Sequence, residues 1–212
     1  MGPLSTGFRY GLVAVAVALV AELRFLLITP GELPNWILTV IETYRTQVPA
    51  AAFLFLSILA ALRVRPVRME PGVPYRSLLL RDGAMTATIV AIMAGLALLL
   101  VTGLNSTVFA NDVRVYANDA APYILEYSEK VAGRLDDPPP LPPVEQIETD
   151  LQPPELRDLG RSLANLVLRA ILLGTVGAIV GALRGAFGKR GQDKAGEGTP
   201  APDGAAEGTL GT

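Results

Sequence analysis

Three ionisable residues lie inside otherwise apolar runs of this 212-residue chain: Glu22, Arg24 and Arg169. A charge in hydrocarbon costs on the order of 2.5–3.5 kcal/mol at mid-membrane, so each of them calls for a partner or a purpose. Counted along a helix at ~1.5 Å per residue, Glu22 and Arg169 each fall roughly 9–11 Å inside the same face of the membrane. They are level, and two readings follow. One is a structural ion pair that locks the first apolar run to the last. The other is a site for an anionic ligand, built from Arg24 and Arg169. Arg24 lies nearer the surface, where a long side chain also snorkels to the interface unaided.

Other chemistry is narrowly bounded. The chain has no cysteine and no histidine, which removes disulfides, thiol nucleophiles, Ser-His-Asp triads, His-ligated haem and the usual zinc ligand sets. No pair of carboxylates shares an apolar run where one is tuned as an acid. No catalytic residue, cofactor or metal is therefore expected. Residues 105–161 hold eleven acids against five bases, a field that repels phosphate and argues against a nucleic-acid partner.

The elements that carry these charges read as membrane spans. Half of the residues are apolar, with a mean hydropathy of +0.40, the composition of an all-α integral membrane protein. Phe8 to Ile28 is the first span, twenty-one residues being enough for a ~30 Å hydrocarbon core. Ala16-Val17-Ala18 offers a leader-cleavage motif, but the apolar run continues past it. Trp36, Ile37, Val40, Ile41, Tyr44 and Val48 share one helical face opposite Thr39, Glu42, Thr43 and Arg45, an interfacial helix on the outer side or an extension of the next span. The second span runs from Pro49 to Leu62. It is short unless Trp36 to Leu62 is one kinked helix.

Residues 63–82 follow, a basic connection with Arg63, Arg65, Arg68, Arg76 and Arg81 against Glu70 and Asp82. Short basic loops stay cytoplasmic, so both neighbouring spans end there. Val73 to Arg81 is a candidate short cytoplasmic helix, with Leu78, Leu79 and Leu80 towards the membrane or a partner. Ala84 to Leu104 is the third span, closed outside by Asn105. Residues 105–161 form an extracytoplasmic, proline-rich segment, with a helix starting at Asp119 to Pro122, an extended stretch from Asp136 to Pro143 and a short helix from Val144 to Leu151. Too small for a core of its own, the segment is expected to rest on the membrane or on another chain.

The fourth span covers residues 162–188. Gly177, Gly181 and Gly185 repeat every four residues, with Gly174 beside them, a small-residue face that lets two helix backbones touch. Residues 189–212 read as a disordered cytoplasmic tail. The domains are thus 1–104 with the basic loop, 105–161, 162–188 and 189–212. Both termini are placed in the cytoplasm of a cell with an inner membrane, and the arginine excess over lysine reads as the coding bias of a GC-rich bacterial genome.

Residues 9–110 resemble the first half of a lipopolysaccharide-export permease of the LptF/LptG family. The resemblance is carried by Arg9-Tyr10, a long first span, an outer segment, a second span, a basic loop leading into Leu78-Leu79-Leu80-Arg81-Asp82-Gly83-Ala84-Met85, and a third span closed by Asn105. It implies an ATPase contact at Leu78, Leu79, Leu80, Arg81 and Asp82, and a role for Arg24 against lipid phosphates. The chain departs from that family after the third span, where it has the acidic proline-rich segment and one further span. The expected function is that of a non-enzymatic structural or accessory subunit of a larger membrane assembly, self-associating or joining other subunits through the fourth helix. The alternative is a reduced permease-like subunit of a lipid or lipopolysaccharide exporter working with an ATPase.

Overall fold

The computed structural model describes residues 2–65, 75–152 and 159–196, and every regular element among them is helical. The first, α1 (Pro3–Glu22), opens with Pro3 in its first turn, where proline's missing N–H costs nothing. A single 3-10 turn (Arg24–Leu26) follows, then α2 (Asn35–Thr43) and α3 (Gln47–Arg63). α4 (Tyr75–Thr107), α5 (Ala110–Ala132), α6 (Val144–Leu151) and α7 (Leu159–Gly196) complete the chain. Three helices are long and apolar enough to cross a membrane: α1, α4 and, within α7, Leu163–Phe187. The pair α2 and α3 makes a fourth candidate, broken by a bend of 56°.

Helix α4 is the centre, with α1, α3 and α7 packed around it. The contacts reveal the directions. Pro3 and Gly7 lie against Thr86 and Ile89, and the Glu22 carbonyl meets Asn105, so α1 runs parallel to α4. Leu166 meets Gly95, Gly177 meets Gly83 and Gly185 meets Arg76, so α7 runs antiparallel. The bundle core is built from small residues, with Ala14, Ala18, Ala60 and Ala94 around Phe53 and Val90. Backbones approach closely as a result, and the large side chains point outward: Leu100, Ile171 and Phe187 are 60–75% exposed, an orientation suited to lipid.

A second core caps one end of the bundle. Leu38 of α2, Tyr116, Ala117, Ala120 and Ala121 of α5 and Ile147 and Leu151 of α6 enclose one another, with Phe25 and Ile28 alongside. The proline-rich segment therefore rests on residues 25–38 of its own chain, which supply the apolar surface it lacks. The opposite end gathers arginines. Arg9, Arg63 and Arg65 line one cavity there, and the Arg184 Nη1 donates to the Val64 carbonyl at 2.5 Å, closing the end of α3.

Several expected boundaries move. The first helix stops at Glu22 and not at Ile28, because Arg24 turns back to the Ala21 carbonyl and caps the helix at 3.0 Å. Trp36 to Leu62 is two helices. The helix expected to begin near Asp119 begins at Ala110 and carries Pro122 inside it. Residues 75–82 are not a separate cytoplasmic helix but the first turns of α4. Lys189 to Gly196 extends α7, with no proline before residue 200 to stop it. The tail beyond, and loop positions 66–74, lie outside the described residues.

Candidate functional site

The charges of the cap end meet where α1 ends, α2 breaks and α5 crosses. Glu42 is the hub. Its side chain is 4% exposed, and the Arg24 Nε and Nη2 donate to its two oxygens at 2.7 and 2.8 Å. This is a bidentate fork, the strongest geometry for such a pair. The Tyr116 hydroxyl donates to Glu42 Oε1 at 2.7 Å, and the Arg45 Nη1 lies 3.9 Å from Oε2. Arg45 also donates to the Asp150 carbonyl, and the Asn35 amide donates to Glu126 at 3.0 Å. Helix α2 is therefore fastened to α5 and α6.

The local sequence produces this arrangement. Leu38 and Glu42, four residues apart, share the buried side of α2, while Trp36, Val40 and Tyr44 on the other side are 44–53% exposed. The helix is inverted relative to a soluble one: its carboxylate faces the protein and its apolar stripe faces out. Burial alone lowers the tendency of Arg24 to stay protonated, yet the hydrogen bonds and charge of Glu42, helped by Glu22, raise its pKa above the ordinary value. Burial first, then the Glu42 charge, raises the Tyr116 phenol well above its ordinary range. Three hydrogen bonds and the nearby Arg45 charge surround Glu42, so the hub acts as a fastening.

Beside the hub lies a cavity of about 250 Å³, just under the ~300–1,000 Å³ of small-molecule sites. Arg24, Arg45, Arg169 and Glu22 line it together with Asn105, and Leu98 and Leu166 form apolar wall. Glu22 and Arg169 thus share a cavity, but no ion pair joins them among the described residues. Arg24, expected to snorkel, to pair or to meet a ligand, is committed to Glu42. Asn105, expected as a polar cap, donates to the Glu22 carbonyl at 3.3 Å, and its Oδ1 is buried with no partner.

The glycine face of α7 is used inside the chain. A Cβ at Gly177 would lie 2.5 Å from the Gly83 carbonyl oxygen, one at Gly174 2.5 Å from the Thr88 hydroxyl and one at Gly185 2.9 Å from the Arg76 Cα, while Gly181 abuts the Leu79 carbonyl. Gly174, Gly177, Gly181 and Gly185 therefore pack on α4 and are not free to receive a second subunit. Gly7 and Gly11 form a matching face on α1, against Ile89 and Met93. Their spacing was open to the same small-residue reasoning.

Of the residues assigned to a cytoplasmic partner, Leu78 and Leu79 are 1% exposed and Asp82 is 4% exposed. They are buried by the chain itself, leaving Leu80 and Arg81 at the surface. Among the described residues no group of three or more Asp or Glu side chains is placed to hold a metal ion. No family model matches the chain, and no curated protein or solved structure matches it either.

Proposed function

We propose that this chain is a non-enzymatic accessory subunit of a larger assembly in a bacterial cytoplasmic membrane. In this reading it crosses the membrane four times, with α2 and α3 as one broken span. Both termini are cytoplasmic, the arginine end faces the cytoplasm as the charge bias of short loops requires, and the α5–α6 cap stands outside with α2 at the interface. The observation that carries the subunit reading is the one-sided burial of α7. Only 17% of its apolar window is buried, against 28% and 33% for α1 and α4. Its contact with α4 is close, extensive and glycine-lined, yet it uses one side of the helix only, and Val167, Leu168, Ile171, Ile179 and Leu183 are left 51–60% exposed.

Partners, if joined through α7, use this outer leucine-isoleucine face and not the glycines. The chain has no cysteine, so single cysteines at Ile171 and Ile179 can be cross-linked in native membranes without background. Discrete cross-linked species resolved by mass spectrometry support the subunit reading. Uniform labelling by a lipid-soluble maleimide, with no protein adduct, would leave α7 facing only lipid and overturn it.

The second reading is a reduced permease-like subunit of a lipid or lipopolysaccharide exporter working with an ATPase. It draws on the resemblance of residues 9–110 to the LptF/LptG family and on the charged cavity. An ATPase contact in this chain falls to Leu80 and Arg81, since Leu78, Leu79 and Asp82 are enclosed.

A further inference from the structure

The cavity beside the hub holds two opposite charges that do not meet. Glu42 takes up Arg24 and draws Arg45, while Arg169 and Glu22 both line the cavity without an ion pair between them among the described residues. Beside them Asn105 is 5% exposed, and its Oδ1 is buried with no partner. Arg169 belongs to an apolar helix window, and a guanidinium at such a place is retained when something anionic pairs with it. Glu22 and Asn105 present the opposite requirement, a donor carrying positive charge. The neighbouring wall, with Leu98 and Leu166, is apolar.

We propose that this cavity binds the headgroup of a zwitterionic phospholipid bearing a primary ammonium, of the phosphatidylethanolamine type. The phosphodiester lies against Arg169, with Arg45 as second donor. The ammonium pairs with Glu22 beside Asn105, and an acyl chain follows the Leu98 and Leu166 wall towards the bilayer. The two protein charges form no ion pair with each other, so a dipolar ligand of opposite polarity satisfies both at once. A choline headgroup has the same charges but no N–H to donate to either acceptor. A glycerol headgroup supplies phosphate without the cation. This inference adds a ligand to the chain and rests on neither reading of its wider role.

The test is thermal unfolding and native mass spectrometry of the full purified chain in detergent, with ethanolamine, choline and glycerol phospholipids of matched acyl chains, and with inorganic phosphate alone. The ethanolamine lipid should bind most tightly, roughly tenfold better than the choline lipid, the size of one charge-assisted hydrogen bond. Glu22→Gln should weaken the ethanolamine lipid most, weaken the choline lipid through the lost charge attraction, and so shrink the preference between them. Arg169→Gln should weaken all three lipids by roughly 10–100-fold, with Arg169→Lys restoring part of the loss. Equal binding of choline and ethanolamine lipids, tighter binding of the glycerol lipid, or full stabilisation by inorganic phosphate would each overturn the proposal. So would recovery of stability on exchanging the charges, as Glu22→Arg with Arg169→Glu, in a protein that shows no lipid preference. If a single variant fails to fold, the ranking of the lipids on the native chain still decides.

Discussion

Replacing Glu42 by glutamine tests the hub with little change of shape. The carboxylate is 4% exposed and its partner Arg24 15% exposed, so both charges are largely withdrawn from water. Breaking one side of a buried pair costs ~3–5 kcal/mol, because the remaining charge keeps its desolvation penalty and loses its compensation. Arg24 retains the Ala21 carbonyl and Glu22 lies near enough to raise its pKa, which argues for the lower end, about 3 kcal/mol. At ~2–4 °C per kcal/mol for a chain of this size, the midpoint of unfolding should fall by roughly 6–12 °C. The assay is circular dichroism of the detergent-solubilised protein on heating. Tyr116→Phe, which removes one hydrogen bond to a charged acceptor, should cost about 1.5–3 kcal/mol, and the double variant less than the sum of the two. Arg24→Leu combined with Glu42→Leu removes both charges and should be more stable than either single change. A midpoint for Glu42→Gln within experimental scatter of the native chain would refute the reasoning, since it would mean that water already screens the hub.

Gly181→Ala should destabilise the bundle by ~1–3 kcal/mol through overpacking against the Leu79 carbonyl, whereas Gly103→Ala, with nothing within 4 Å of its Cβ position, should stabilise α4 by ~0.5–1 kcal/mol; paired unfolding midpoints decide. Reporter fusions at Gly72 and Pro139 should report opposite sides of the membrane, and equal signals would remove the four-span topology. The raised Tyr116 pKa makes its contribution complete below the unfolded value of ~10 and lost as pH rises through the folded value. Tyrosinate absorbance in an alkaline titration should therefore show one late-ionising ring, absent in Tyr116→Phe.

The helices were legible where one interaction dominates. Runs of apolar residues gave α1, α4 and α7, and Val144 to Leu151 was bounded by prolines on both sides. The glycine spacing on α7 foretold a close backbone contact, but not that its partner would be α4, because a stripe of small residues says how near a neighbour comes and not which neighbour it is. The end of α1 was not legible. Composition carries the apolar run to Ile28, and the helix stops at Glu22 through a capping arginine and an asparagine eighty-three positions away. Pro122 was a poor guide for a related reason: packing of Ala117, Ala120 and Ala121 in the cap core outweighs the hydrogen bond that proline removes.

The hub is not visible in the sequence because helical periodicity separates the polar side of α2 from its apolar side without saying which of the two meets the protein. Glu42 falls on the polar side, with Thr39, Thr43 and Arg45. In a helix whose apolar side faces outward, the same pattern buries the carboxylate, and the carboxylate then selects its partners. Glu42 holds Arg24 from beyond the end of α1 and draws Arg45 from three residues along its own chain. Once it does so, Arg24 is no longer available to Glu22 as a bonded partner, and Arg169 finds no ion pair among the described residues. The pairing that looked simplest from matched depth, Glu22 with Arg169, is thereby replaced by a closed hub and an open cavity that share one wall. The fastening and the candidate binding site are two consequences of where a single buried glutamate sits.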